Sequence, residues 1–303
     1  MLKTTVLLIF SFILVANTAL AAPMKYIYHP PEATDDSRYD YPWALLKLAL
    51  EQTRAEYGDY ILEAAPIVMN EKRQYQELRV GSDTITVMIA TANKDKERQL
   101  IPVRIPLDKG LLGYRVLLID KRRQQEFSQI QTLEQLKPLV VGQGVGWQDV
   151  EVWENNGFKV IEGTSYPGLF YMLVSGRYDF FSRGIVEVID EYNRYKNKLP
   201  NLAVEESLLI YYPWPQYFYF THSDAGQRRA ERVEKGLRAV FKNPMLFNPL
   251  FNRYHAEALN RYDFKLRKVL YLKNPMLSDE TPLDDPLLWL NPLQFNASNN
   301  AGR

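Results

Sequence analysis

The sequence contains no cysteine among its 303 residues. Thiol catalysis, thiolate metal sites, disulfides and attachment of a lipid to a cysteine are therefore excluded. Histidine is also scarce: His29, His222 and His255 stand far apart, without the spacing of a metal-binding motif. An isolated histidine of this kind is more often structural or exposed than catalytic, so we expect no metal site.

A strong excess of one charge is absent as well. The formal net charge is +1, which does not favour nucleic acid or an anionic membrane surface as a partner. The hydrophobic content of 46% and the charged content of 24% are typical of globular proteins. The length is enough for two ordinary domains.

Motifs for catalysis are missing too. The chain has no Gly-x-Ser-x-Gly nucleophile elbow, and nothing matches a Gly-Lys-Ser/Thr phosphate loop. The paired acids Asp35-Asp36 and Asp284-Asp285 are adjacent loop charges, and neighbouring residues rarely face one site. We therefore expect a protein that is not an enzyme and that needs no cofactor.

Long apolar runs occur only at the start of the chain. Lys3 is followed by an apolar core, Val6–Val15, and by the small-x-small sequence Ala19-Leu20-Ala21. This pattern predicts a cleaved signal peptide over 1–21, with a retained anchor as the alternative. Since that segment holds one lysine and no acid, the remaining chain has 36 basic and 36 acidic residues. We expect a soluble periplasmic protein.

The first part of the remaining chain alternates strands with helices. Apolar spacing and Gly/Pro boundaries predict β-α-β-α-β, which is typical of a parallel sheet covered by helices. The predicted strands are Lys25–His29, Tyr60–Ala65 and Thr84–Thr91, and the predicted helices are Trp43–Tyr57 and Met69–Leu78.

The stretch Arg98–Lys121 is predicted to be the first crossing between two lobes. Its two prolines, Pro102 and Pro106, favour extended chain, and the apolar run Tyr114–Ile119 predicts a buried strand. A second apolar and aromatic passage, Glu205–Thr221, is predicted to be the return crossing.

A second α/β unit lies between these crossings. It contains a glycine-rich turn, Gly142–Gly146, after a predicted strand (Leu139–Val141) and before a predicted helix (Trp147–Asn155). Backbone N–H groups at such a turn can hold an anion, although a tight turn with close packing is an equally good interpretation. After the return crossing we predict helices over Arg228–Phe241 and Leu246–Asn260, then an extended tail lying over the first lobe as far as Trp289.

Two arginines and two aromatic residues are candidates for binding a ligand. Arg98 could clamp a carboxylate with its planar guanidinium, but a solvated surface charge is the alternative. Arg183 follows a predicted strand, where ligands bind in open α/β sheets, but an ion pair with Glu187 would explain it equally well. Of the many tyrosines and tryptophans, most are expected in the core; Tyr39 and Trp147 are the predicted walls of a cleft.

In order and spacing, several of these segments resemble the extracellular solute-binding proteins of family three. These are type 2 periplasmic binding proteins that serve amino-acid ABC transporters, and the resemblance covers about Lys25–Tyr254. The segments that carry it are Thr91–Ile119, the element Ser175-Gly176-Arg177-Tyr178-Asp179, and Leu133–Leu136 with Val141–Gly146. The resemblance implies two α/β lobes with two crossing strands as a hinge.

The resemblance also implies roles for individual residues. Arg98 falls where the family's arginine grips the ligand carboxylate, and Thr91 lies near its small hydroxyl residue. Trp147 and Gln148 lie where the second lobe meets the same carboxylate. Gly184 stands where the family places an acid for the ligand amine; with Arg183 beside it, this favours an anion such as a carboxylate or dicarboxylate.

The sequence therefore predicts a solute-binding protein that captures a small polar or anionic ligand for an ABC transporter or sensor. The expected partners are that ligand and an inner-membrane permease or membrane sensor, and a monomer is expected. The alternative is a periplasmic interaction or sensory partner that retains the binding fold without transport. The predicted domains are the signal peptide (1–21), lobe 1 (22–115 and 209–272), lobe 2 (116–208) and a C-terminal extension (273–303).

Overall fold

A computed structural model describes residues 22–31, 39–261 and 264–291. The predicted signal peptide and the last part of the predicted extension (292–303) lie outside the described residues. Within the described residues, no helix is long and apolar enough to cross a membrane.

The chain forms two lobes of strands and helices in the predicted order. The first part of lobe 1 contains β1 (Met24–Tyr28), α1 (Asp40–Gln52), α2 (Arg54–Tyr57), β2 (Tyr60–Ala64), α3 (Glu71–Val80), β3 (Met88–Thr91), α4 (Lys94–Gln99) and β4 (Ile101–Val103). Lobe 2 contains β5 (Tyr114–Asp120), α5 (Gln124–Ser128), α6 (Leu133–Leu136), β6 (Val141–Gly144), α7 (Asp149–Asn155), β7 (Val160–Gly163), α8 (Tyr166–Val174), β8 (Phe180–Gly184), α9 (Val188–Tyr195), β9 (Leu202–Val204) and β10 (Leu208–Tyr211). The remainder contains β11 (Gln216–Phe220), α10 (Asp224–Lys242), α11 (Pro244–Arg261) and β12 (Lys268–Tyr271).

Local chemistry explains where several helices begin. Asn70 accepts a hydrogen bond from the Arg73 N–H at the start of α3, and Ser223 accepts one from the Gly226 N–H at the start of α10. Side-chain oxygens at these positions satisfy N–H groups that have no partner within the helix.

The sheets divide as the two-lobed fold requires. Lobe 1 has the parallel pair β1–β2 and a three-stranded sheet in the order β3-β11-β4. Lobe 2 has a seven-stranded sheet in the order β12-β10-β5-β8-β6-β7, with β9 paired to β5. The crossing strands β5 and β10 pair with each other in antiparallel register, Ile210 opposite Arg115. The predicted α/β architecture with two crossing strands is confirmed.

The structure corrects one boundary of the predicted lobes. Residues 268–271 were expected within lobe 1, but they form β12, which pairs in parallel with β10 at the edge of the lobe 2 sheet. The sequence pattern missed this strand because it is short and lies at a sheet edge, where only one face has to be apolar.

Three apolar clusters form the core. The largest contains residues of both lobes, among them Leu45 and Phe218 from lobe 1 and Phe170 and Phe181 from lobe 2. A second, here called the lobe 2 cluster, lies around Trp153 on the other face of the lobe 2 sheet, and a third, the lobe 1 cluster, includes Tyr217 and Tyr219. The lobes are therefore joined by packing as well as by strands.

After β12 the chain continues without a helix or strand over residues 272–290, here called the C-terminal strap. Its end lies on lobe 1, as predicted: Leu288 is fully buried, and the Leu290 N–H donates to the Lys109 carbonyl at 2.9 Å. The Trp289 ring lies so close to Gly110 that a Cβ at that position would be only 2.4 Å from it.

Candidate functional site

The two lobes touch at the carboxyl edge of the lobe 2 sheet. Thr91, the last residue of β3 in lobe 1, donates from Oγ1 to Oε1 of Gln148 in lobe 2 at 3.0 Å. Gln148 directly precedes α7. The structure therefore brings together two of the predicted site residues from opposite lobes.

Trp147 lies beside this contact and covers the end of β6. Its ring passes over Gly144, where a Cβ would lie 2.4 Å from the indole. It stacks on Phe181 with ring centroids 6.0 Å apart, and the Arg183 guanidinium lies 4.9 Å from its centroid. The glycine at 144 is needed because any larger residue would displace the tryptophan.

The glycine-rich turn was predicted to offer backbone N–H groups to an anion. In the structure these groups bond within the chain: the Val145 N–H donates to the Gly163 carbonyl at 3.0 Å, and the Gly146 N–H donates to Glu162 at 3.2 Å. The turn serves tight packing, which was the alternative interpretation.

Arg183, also predicted, is buried and held by carboxylates of α9 and of the loop before it. Its guanidinium donates to both oxygens of Glu191 at 2.6 and 2.7 Å, and Glu187 lies 3.3 Å away. Burial alone would lower the pKa of Arg183, but the two carboxylates outweigh it and raise that pKa. Tyr166 donates to the same Glu191 at 2.6 Å.

Arg115 was not singled out from the sequence, yet it completes the cluster. It lies on β5, is only 2% exposed, and pairs with Asp149 at 3.0 Å and with Glu187 at 3.5 Å. Asp149 also accepts a hydrogen bond from the Tyr212 hydroxyl. The signal was an arginine inside an otherwise apolar strand, since such a buried charge needs a partner.

Together these side chains form one connected charge network. Glu187 bridges the two arginines, so the order is Asp149, Arg115, Glu187, Arg183, Glu191. Each guanidinium thus has two carboxylates within 3.5 Å, and the network holds three acids against two bases. It forms a rigid polar floor beneath the interlobe contact and already neutralises both arginines.

The structure does not bring Arg98 to this cluster. Its side chain is 70% exposed and pairs with Asp95 one turn earlier on α4. Asn93 caps α4, so Arg98 falls in the last turn of the helix and faces solvent. The long segment between Thr91 and Arg98 moves the arginine away from the position that the resemblance implied.

Tyr39 lies in lobe 1, just before α1. Its ring meets His29 edge-on with centroids 4.4 Å apart, after the end of β1. No described contact connects it to the charge network.

Two surface cavities lie elsewhere, near the amino end of β8. One, of about 420 Å³, is lined by Tyr171, Met172, Val174, Ser175 and Arg177. The other, of about 280 Å³, lies next to it around Asp120, Arg123 and Asp179. Both are at the opposite end of β8 from the charge network.

Comparison with known proteins finds likeness in structure only. No family model matches the sequence, and no curated protein matches it. A structure concerned with glutathione import through a cystine ABC importer of Streptococcus mutans superposes with a TM-score of 0.52 at 14% identity, covering 78% of this chain and 96% of that one.

Two further structures give similar values. A Bacillus subtilis protein superposes with a TM-score of 0.50 at 14% identity, covering 82% of this chain and 96% of that one. An ancestral arginine-binding protein bound to glutamine gives 0.50 at 16% identity, covering 78% and 98%. At such identities the likeness concerns the fold, and the chain has the two-lobed fold of the type 2 periplasmic solute-binding proteins.

Proposed function

We propose that this protein is an exported binding protein that captures a small polar ligand between its two lobes. The observation that carries the proposal is the charge network at the carboxyl ends of β6 and β8, directly beside the Thr91–Gln148 contact. In open α/β sheets, ligands bind outside the carboxyl ends of the strands. Closing the lobes buries such a ligand, and a membrane partner reads the closed form.

The pairing of the arginines bears on the charge of the ligand. An anion placed against Arg183 would also meet the carboxylates of Glu187 and Glu191, which lie within 3.3 Å of that guanidinium. A zwitterion meets both signs of charge and avoids this repulsion. We therefore favour an amino acid over the simple carboxylate or dicarboxylate that the unpaired sequence favoured.

In this proposal the residues have distinct roles. Thr91 and Gln148 exchange their mutual hydrogen bond for bonds to the ligand, while Trp147 supplies a flat apolar wall and Arg183 a fixed positive charge. Tyr39 is the candidate wall from lobe 1. Arg98 is left out, because its guanidinium pairs with Asp95 at the surface.

The partner and the compartment belong to the same proposal. An inner-membrane permease or a membrane sensor would contact the closed lobes in the periplasm. The support is the sequence pattern over 1–21, together with the fold shared with a structure concerned with an ABC importer.

Calorimetry against a panel of amino acids and organic acids tests the proposal. We expect one class of amino acid to bind and Gln148→Ala to weaken its affinity about tenfold, the effect of losing one good polar contact. Arg98→Ala is the matched control and should bind as the unsubstituted protein does. No ligand in the panel, or equal losses in the two variants, would count against binding at the network.

The second candidate is a periplasmic interaction or sensory partner without transport. The observation in its favour is that both guanidiniums are already neutralised by the chain's own carboxylates. Co-purification of the full chain with solubilised membranes tests it. A membrane partner that binds equally with and without the ligand panel would favour this candidate over the first.

A further inference from the structure

The C-terminal strap connects the two lobes a third time, in addition to the two crossings. Leu272 and Met276 pack into the lobe 2 cluster, and both are almost fully buried. The next residue, Leu277, packs against the lobe 1 cluster. Residues 272–277 therefore place apolar side chains in both lobes, and these must separate if the lobes move apart.

Polar bonds fix the start of the strap to lobe 2 and to the hinge. Asn156, at the end of α7, donates from Nδ2 to the Lys273 carbonyl at 2.8 Å and accepts from the Lys273 N–H at 3.0 Å. Asn274 then donates to the carbonyl of Pro213, in the second crossing, at 2.9 Å. A side-chain amide that forms two such bonds with one residue holds the backbone in a defined position.

Lobe 1 holds the next residues of the strap. The Lys94 N–H at the start of α4 donates to the Met276 carbonyl at 2.8 Å, and its ammonium group donates to the Pro275 carbonyl at 3.1 Å. Ser278 donates to the buried Glu97 at 2.7 Å. These contacts lie on the helix that follows Thr91, beside the interlobe contact.

The chain between the two sets of anchors is short. Only Asn274 and Pro275 lie between Lys273, held by lobe 2, and Met276, held by lobe 1. An extended residue spans at most about 3.6 Å, so the strap has little length to give when the lobes rotate apart. The fixed φ of proline and the Asn274 bond to the hinge reduce that slack further.

We propose that the C-terminal strap is a clasp that limits how far the lobes open. The anchors at Asn156 or those at Lys94 must release before the cleft opens fully. The clasp acts on the hinge itself and does not depend on whether a ligand binds, so it goes beyond the proposed function.

Distance measurement between spin labels tests the clasp in the full chain without ligand. The protein has no cysteine, so Lys72→Cys in lobe 1 and Arg177→Cys in lobe 2 are the only sites that react with the label. We expect one short-distance population. Adding Asn156→Ala and Asn274→Ala should raise the long-distance population about tenfold, as expected from the loss of several hydrogen bonds.

Asp285→Ala is the matched control. It removes a contact between the strap and Arg238 beyond the point where the strap crosses, and it should leave the distances unchanged. Identical distributions in all three proteins would overturn the proposal, and so would a control that opens as much as the double variant.

A second measurement covers the case in which the double variant does not fold. In the unsubstituted protein, the amides of Lys94 and Lys273 should resist hydrogen exchange, since both donate to strap or lobe anchors. If they exchange as fast as amides of exposed loops, the strap is not a clasp. Ligand binding plays no part in either result, so these tests and the calorimetry can fail independently.

Discussion

His255 is a buried histidine among aromatic rings. It lies on α11, 7% exposed, with the rings of Tyr41 and Phe251 at 4.4 and 4.8 Å. Burial lowers the pKa of His255 from 6.5 to about 4. The unfolded chain therefore binds this proton more readily than the folded protein between those two values.

From this shift we predict a loss of stability in mild acid. The contribution of His255 is complete above pH 6.5 and is lost as the pH falls toward 4, by about 3 kcal/mol in all at 1.36 kcal/mol per unit. His255→Phe should remove that part of the pH dependence. Urea midpoints from pH 7 to 4.5 measure it, and parallel curves for the two proteins would contradict the prediction.

Asp108 acts in the opposite direction and has to be considered in the same experiment. Burial raises the pKa of Asp108 from 3.8 to about 6, although the backbone N–H groups of Leu112 and Gly110 lower it in part. The folded state then holds this proton more tightly, and the contribution to stability falls as the pH rises through that window. The informative quantity is therefore the difference between the variant and the parent.

Arg115 and Arg98 form a natural pair for comparing a buried and an exposed arginine. Arg115→Ala leaves the buried Asp149 without its cation, and we expect a loss of about 3–5 kcal/mol in the free energy of unfolding. Arg98→Ala removes an exposed pair with Asp95 and should leave the denaturation midpoint unchanged. Denaturant titration of both variants decides; equal midpoints would show that the network does not stabilise the fold.

Among the helices, α1 and α10 pack most closely at Gly236. A Cβ there would lie 2.1 Å from the Ala49 carbonyl oxygen, which belongs to the backbone of α1 and cannot rotate away. Close approach of the two helices therefore requires glycine at this position.

We expect Gly236→Ala to destabilise the protein although alanine favours helices. The gain in helix propensity is about 1 kcal/mol, whereas overpacking against backbone costs about 1–3 kcal/mol or more. Arg228→Ala on the exposed face of α10 is the control and should be nearly neutral. A thermal melt in which Gly236→Ala is the more stable of the two would refute the packing argument.

The order of helices and strands was largely predictable, and the exceptions have local causes. The crossing strand at Tyr114–Ile119 and the helix at Arg228–Phe241 were confirmed because their apolar periodicity reports directly on a buried face. The predicted strand Leu139–Val141 was displaced to Val141–Gly144, since glycines there allow Trp147 and Tyr178 to pack on the sheet. Strand β12 was missed.

At the scale of the whole molecule, the shared apolar cluster couples the lobes. Residues such as Phe218 of lobe 1 and Phe181 of lobe 2 belong to one continuous core, and the strap joins the same two lobes. We therefore expect one cooperative thermal transition, with equal calorimetric and van't Hoff enthalpies. Two separate transitions in scanning calorimetry would show that the lobes fold independently.

The candidate site was only half predictable. Thr91, Trp147, Gln148 and Arg183 were named from their positions at predicted strand ends and helix starts, and the structure places all four at or beside the interlobe contact. Arg115 and its partner Asp149 were missed, because they are far apart in the chain and only folding makes them a pair. Arg98 was named from a resemblance whose spacing this chain does not keep.

The sequence by itself determined the alternation of strands and helices, the two crossings and the lack of thiol chemistry. These follow from local periodicity and from composition, which each segment carries on its own. Tertiary structure alone decided that Arg98 faces solvent, that Glu187 joins two arginines, and that the strap ties lobe 2 to lobe 1. Those outcomes depend on contacts between residues distant in the chain, where geometry selects the partner.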